Sequence, residues 1–243
     1  MKIEVLSSGS KGNCYKVSDG ETALLIECGI TINEIKKKLS FDFSDIEGCL
    51  VTHEHIDHAK AVKDLMKLGI DCYMTAGTAE ALNISGHNVK IFRGHWEDPR
   101  MNCTQQVNYT TKRVGNYFIK PFQVVHDAYE PCGFLIDSVK SGETLLFITD
   151  TMYSKYQFKV IDYIMLEVNY VKEVINDNRL HPGLRKRIKE NHMSLETALT
   201  FLKSCDLSRT KEIYIMHLSD NNSDEKFIKE EIQKATGKPV YIC

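Results

Sequence analysis

The chain has 243 residues, with 31 Lys and Arg against 33 Asp and Glu, a formal net charge of -2, and 42% hydrophobic residues. This describes an ordinary globular protein with enough chain to bury a sizeable core, and it excludes a disordered or fibrous chain and a strongly basic nucleic-acid coat. A local basic groove stays open, because net charge does not register it.

Short apolar runs rich in β-branched and aromatic residues predict strands at 3–6, 23–26, 49–51, 116–119, 133–136, 145–148, 163–166 and 213–216. Helical spacing falls between them. Ala59, Val62, Leu65 and Met66 make a stripe over 59–68 that Gly69 stops, with the helix opening at His58-Ala59. Leu195, Ala198, Leu199 and Leu202 recur at helical spacing behind Ser194 as N-cap. Phe227, Ile228, Ile232 and Ala235 make a last stripe, closed by Gly237 and Pro239. The order predicts an α/β protein with sheets covered by helices, and two packed sheets fit it. There is no internal repeat and no Pro/Gly/Ser-rich linker, so residues 1–243 read as one domain.

No apolar run approaches the roughly 20 residues needed to span a bilayer, and the opening Met1-Lys2-Ile3-Glu4-Val5 turns acidic too early for a secretory signal. A cytoplasmic protein with no membrane partner is expected. The eight cysteines, Cys14, Cys28, Cys49, Cys72, Cys103, Cys132, Cys205 and Cys243, form no Cys-x-x-Cys pair. That excludes a zinc ribbon and a thioredoxin-type motif and predicts reduced, buried thiols.

Histidine carries the functional signal. His53-Glu54-His55-Ile56-Asp57-His58 follows an apolar run directly, placing a dense set of ligand-capable residues on a loop between a strand and a helix. His53 and His55, two apart in extended chain, point to one side. Asp57 and His58, at the turn into the helix, aim at a neighbouring point. One loop can thus feed two metal ions, and imidazole with carboxylate suits Zn, Mn or Fe as divalent ions. His126, Asp150 and His217 each follow an apolar run, as residues do when a sheet delivers them to one rim.

Thr52-His53-Glu54-His55-Ile56-Asp57-His58 resembles the hallmark of the metallo-β-lactamase superfamily. The resemblance implies an αββα sandwich of two mixed β-sheets flanked by helices. It also implies the ligand set: His53, His55 and His126 for one metal, Asp57, His58 and His217 for the second, and Asp150 as the bridge. Further segments are similar to the YycJ (WalJ)-type branch: 8–15, 126–134, 148–151, 166–170 and 184–188. That branch is described as DNA exonucleases acting 5′ to 3′. The 67 residues from Asp150 to His217 leave no room for a β-CASP insertion. The chain departs from the branch at Met152, Val171, Asn191 and Leu195, positions that bear on substrate range.

Asn191-His192-Met193-Ser194 resembles a segment of phosphodiesterase branches in which the His serves the scissile phosphate. Residue by residue, His192 stands before a helix start, where an imidazole can donate to a phosphate or protonate a leaving oxygen, or simply cap the helix. The basic run Arg179, Arg185, Lys186, Arg187 and Lys189 reads as a solvated helix face or as a guide for a polyanion, with Arg185 the candidate substrate contact. Ser10-Lys11-Gly12-Asn13 reads as an anion-cradling nest, with Ser10 and Asn13 touching substrate, or as a hairpin turn. Trp96 reads as a base-stacking or a packing residue, and His87, His95 and His181 as surface residues.

The expectation is a dinuclear metal-dependent phosphodiesterase acting on nucleic acid, a DNA exonuclease, by in-line attack of a metal-bridging hydroxide. Asp57 would orient that hydroxide and His192 would assist the leaving group. A thioester or lactone hydrolase of the same fold is the alternative. A metal-stabilised nucleic-acid-binding subunit is a third reading, against which the complete ligand set argues.

Overall fold

The computed structural model describes residues 1–96, 107–177, 180–219 and 222–243. Cys103 and Arg179 lie outside them. Two compact units emerge, residues 1–123 with 128–142 and residues 124–127 with 143–243.

In the first unit, β1 (Lys2–Ser7), β2 (Cys14–Ser18) and β3 (Ala23–Ile26) form an antiparallel meander, with Leu25 opposite Lys16 and Ile26 opposite Tyr15. From β3 the sheet turns parallel through β4 (Ile46–Leu50), β5 (Cys72–Thr75) and β6 (Val89–Phe92). Helix α1 (Ile32–Lys38) links β3 to β4, α2 (Ile56–Ala59) and α3 (Val62–Lys67) link β4 to β5, and α4 (Ala76–Ala81) links β5 to β6. All four residues of β3 are buried, as a strand covered on both faces demands. Thr31 and Glu34 form a capping box at the head of α1. Leu25, Cys49, Val51, Ile35, Val62, Leu65 and Met74 belong to one apolar core between these helices and the sheet. The unit also holds the hairpin β7 (Gly94–Trp96) and β8 (Val107–Tyr109), and the antiparallel set β9 (Lys112–Val114), β10 (Tyr117–Gln123) and β11 (Cys132–Ser138).

In the second unit, β12 (Thr144–Ile148), β13 (Tyr163–Glu167), β14 (Glu212–Met216) and β15 (Val240–Ile242) run parallel. Helices α5 (Lys172–Asp177), α6 (Pro182–Asn191) and α7 (Leu195–Ser204) lie between β13 and β14, and α8 (Glu225–Thr236) lies between β14 and β15. Ser194 caps α7 by accepting from the Thr197 N–H, and Gly237 ends α8 with φ 68°.

Three details correct the sequence reading. The helix expected over 59–68 is two pieces, and the first opens at Ile56, before His58. The break has a hydrogen-bond cause. The Asp57 carbonyl accepts from Asn13 N–H at 2.7 Å, the His58 carbonyl from Cys28 N–H at 2.8 Å, and Ala61 N–H donates to Cys28 O at 2.9 Å. The carbonyls that would continue the helix are already engaged by the neighbouring loop. On α8 only Ile228 and Ile232 are buried, while Phe227 is exposed, because a one-residue offset of 100° carries it off the core face. On α7 Phe201 joins Leu195, Ala198 and Leu202 in the core in place of Leu199.

The loop contact also explains a glycine. A Cβ on Gly29 would stand 1.6 Å from the Asp57 carbonyl oxygen, and Gly29 N–H donates to Asn13 O at 2.8 Å. Gly29→Ala therefore displaces the backbone of Asp57 itself. Thermal unfolding is expected to show a loss of about 3 kcal/mol, the upper end for overpacking. Stability within about 0.5 kcal/mol of the parent would contradict this contact.

Among the described residues the cysteines are free thiols, with Cys14, Cys28, Cys49, Cys72 and Cys132 buried. Burial raises the Cys14 and Cys132 thiols well above their ordinary range, so they behave as small hydrophobes. No described helix is long and apolar enough to cross a membrane.

Candidate metal centre

The loop that leaves β4 carries its ligand-capable residues in distinct environments. His53 is buried, and its Nδ1 stands 2.8 Å from Thr52 Oγ1, which leaves Nε2 for the opposite side. There it meets His55 Nδ1 at 3.1 Å. Two imidazole nitrogens at 2.0–2.1 Å from a tetrahedral ion stand about 3.3 Å apart, so this spacing suits a shared cation. His58 is fully buried, with Nε2 3.5 Å from Asp57 Oδ2 and its ring centroid 4.2 Å from that of His53. Behind it, Glu27 Oε2 lies 3.6 Å from Nδ1. Glu27 is itself fully buried, stands at φ 63° just after β3, and accepts the Thr52 N–H at 3.3 Å.

The second unit builds a matching group around Asp150, which is buried two residues past β12. The two oxygens of this carboxylate face different imidazoles. Oδ1 lies 3.7 Å from His217 Nε2, and Oδ2 lies 3.6 Å from His126 Nε2. That is the disposition a bridging carboxylate requires. Asp150 at φ 42° and His217 at φ 53° are both non-glycine residues in the left-handed region, a conformation held only where the surroundings enforce it. His126 Nδ1 donates to the Asn191 carbonyl at 3.0 Å, so Nε2 keeps its lone pair for a metal. Burial lowers the His126 pKa despite the nearby Asp150 charge, which also keeps the ring neutral and able to ligate.

Behind this group lies Glu167, fully buried at the end of β13. Oε1 accepts from His192 Nδ1 at 2.6 Å and lies 3.4 Å from His217 Nδ1. Oε2 accepts the Thr151 N–H at 2.9 Å and the Met193 N–H at 3.3 Å. Burial alone would raise this carboxyl, but the His192 charge and the donors hold it below its usual value. Burial conversely disfavours the His192 cation, and the Glu167 charge and hydrogen bond outweigh it, raising that pKa. His192 stacks on His217 at 5.4 Å, and 19% of its side chain stays exposed. It follows α6 and precedes the N-cap of α7, where the sequence placed it.

Asp150, Glu167, His192 and His217 each offer one ligand atom, all within 4.8 Å of one another. In both units imidazoles turn one nitrogen to a buried oxygen and the other toward a ligand-capable group, which is how metal-binding histidines are oriented. The donor set of imidazole and carboxylate fits borderline divalent ions.

Glu27 and Glu167 were missed by the sequence reading. The signal was present: each ends an apolar run, at Ile26-Glu27 and Leu166-Glu167, as Asp150 and His217 follow theirs. Glu167→Gln tests the arrangement, because an amide nitrogen would face either the His192 donor or the two backbone N–H groups. Metal affinity measured by chelator competition is expected to fall roughly 10- to 100-fold. Unchanged affinity would remove Glu167 from the support of His217.

Of the remaining candidates, Ser10 is exposed, whereas Asn13 is buried. Asn13 Oδ1 accepts from Gly9 N–H at 2.9 Å and from the Tyr15 hydroxyl at 3.1 Å. Its Nδ2 lies 3.3 Å from Asp57 O and from His58 Nε2. The Gly12 N–H donates to Gly9 O at 3.0 Å, so the segment is a hydrogen-bonded turn that braces the ligand loop. Arg185 is half-buried on α6, a helix with no buried residue. Arg187 pairs with Asp127 at 3.0 Å, and Lys189 bonds Asn176 at 2.7 Å, so part of the basic run is engaged locally.

A family model described as the beta-lactamase superfamily domain matches residues 22–218. The chain belongs to the metallo-β-lactamase superfamily. It shares 28% identity over 232 residues with exodeoxyribonuclease WalJ of Streptococcus pneumoniae serotype 2, covering 91% of this chain and 83% of that one. Identity with exodeoxyribonuclease YycJ of Bacillus anthracis is 28% over 239 residues, covering 93% and 85%. Among solved structures, the metallo-beta-lactamase fold protein YhfI from Bacillus subtilis aligns with a TM-score of 0.70 at 14% identity, over 99% of this chain and 95% of that one. The fold is thus the metallo-β-lactamase fold, two mixed sheets flanked by helices, and the chain is a hydrolase of that superfamily.

Proposed function

We propose that this hydrolase is a dinuclear metal-dependent phosphodiesterase that removes nucleotides from DNA from the 5′ end. His53, His55 and His126 are assigned to one ion, Asp57, His58 and His217 to the other, and Asp150 to both. Zn or Mn is the expected metal, with Fe able to use the same donors. When bound, the ions would acidify a water into a nucleophile near neutral pH and offset the charge that develops on the phosphoryl oxygens.

The observation that carries the reading is the His192–Glu167 pair beside Asp150. Glu167 fixes His192 Nδ1 as a donor and favours the cationic ring. In the cationic ring the opposite nitrogen, Nε2, also carries a proton, and 19% of the side chain stays exposed. A proton held there can be given to a leaving alkoxide or shared with a phosphoryl oxygen. Phosphodiester cleavage expels a poor leaving group and gains from such a donor. Thioester hydrolysis expels a thiolate and needs it less. The names of the WalJ and YycJ relatives support the same substrate class. Ser10 and Arg185 are assigned to the substrate side, and Asn13 to bracing Asp57 and His58 in place of its expected substrate contact.

Oligodeoxynucleotides blocked at either the 5′ or the 3′ end, assayed beside a thioester and a lactone, test the reading. Shortening of the 3′-blocked strand alone is the expected result. Turnover confined to the thioester or lactone would replace it with the carbonyl-hydrolase alternative.

A further inference from the structure

Large apolar side chains stand out from the surface at the ligand loop. Ile56 is 70% exposed between His55 and Asp57, and Tyr129 is 66% exposed. The Tyr129 backbone is nonetheless firmly held. Its N–H donates at 2.8 Å to Oε1 of Glu54, the residue between His53 and His55. The next residue, Glu130, is fixed by the Gly77 N–H at 2.6 Å, the Tyr109 hydroxyl at 3.0 Å and Thr75 Oγ1 at 2.8 Å. The ring itself leans on Gly77, where a Cβ would come within 2.7 Å of Tyr129 Cδ1. An aromatic ring on an anchored backbone, with most of its surface open, is already arranged for stacking and loses little freedom on contact.

We propose that Tyr129 is a stacking platform for an unpaired nucleobase of a single strand whose backbone lies at the metal-ligand loop. The proposal rests on the nuclease reading. Stacking accepts any base, because every base has a π face, so the platform would position a strand without selecting its sequence. It would act on the base, while the Glu54 link ties its position to His53 and His55.

Binding by fluorescence anisotropy tests this without any need for turnover. The probes are a labelled phosphorothioate oligodeoxynucleotide and its abasic counterpart of equal length and charge. The parent protein is expected to prefer the base-bearing strand by roughly 5- to 100-fold, the range for one base–aromatic stack. Tyr129→Ala should abolish that preference, while Tyr129→Phe and Tyr129→Trp should keep it, with thermal unfolding confirming the fold of each. Equal affinity of the parent for both strands, or a preference that survives Tyr129→Ala, would overturn the platform. Cleavage of ordinary DNA is scored alongside. A preference without cleavage supports the platform and removes only the nuclease reading, whereas cleavage without a preference removes only the platform.

Discussion

Asp150→Ala is expected to strip the protein of tightly held metal at both positions and to abolish phosphodiester cleavage. The reason is geometric. One carboxylate presents Oδ1 to His217 and Oδ2 to His126, at 3.7 and 3.6 Å, so its removal would take a ligand from each of the two proposed ions at once. Bound ions would contribute several kcal/mol of transition-state charge stabilisation, and each 1.36 kcal/mol is tenfold in rate, so a loss on the order of 10³-fold or more is expected. The substitution keeps a β-carbon at a left-handed backbone position and leaves Thr149 Oγ1 without its 2.8 Å acceptor. Metal analysis after gel filtration decides the matter. Two tightly held ions in the variant would remove Asp150 from the ligand set.

His192→Ala should separate chemistry from metal binding. If the ring serves the phosphate, the variant keeps both ions, and DNA cleavage falls by roughly 10²–10⁴, the range for a positioned acid or donor. A thioester, with its better leaving group, should lose much less. Removing the ring also leaves Glu167 without its 2.6 Å partner, so a modest loss of stability accompanies the kinetic one. Loss of one ion in step with activity would make His192 a ligand, consistent with its place among atoms spaced for metal binding. Unchanged DNA cleavage would return it to a helix-terminal residue.

The candidate ligand residues were legible because their chemistry is local. His53, His55, Asp57 and His58 sit within six residues, and Asp150 and His217 follow apolar runs that became β12 and β14. What surrounds them was not legible, since it depends on distant chain. Asn13 N–H reaches the Asp57 carbonyl across 44 positions and splits an otherwise continuous helical pattern into α2 and α3. Glu27 and Glu167 were not singled out in the sequence, and the fold places each behind a histidine. Strand β2 escaped notice for a different reason, because Cys14–Ser18 mixes Lys and Ser with apolar residues and shows no continuous apolar run. The Ser10–Asn13 segment left an anion cradle and a hairpin turn equally open in the sequence, and its hydrogen bond to Asp57 comes from chain 44 positions away.

Metal-dependent hydrolysis of DNA from one end is the proposed activity. It is tested most directly by resolving on a gel the products of uniformly labelled single- and double-stranded DNA, incubated with metal-stripped protein and with protein reloaded with zinc, manganese or iron. Mononucleotides accumulating only in reloaded samples, with the strand shortening progressively, are the predicted result. Intact DNA with every metal, while the reloaded protein turns over a thioester or lactone, would contradict the account.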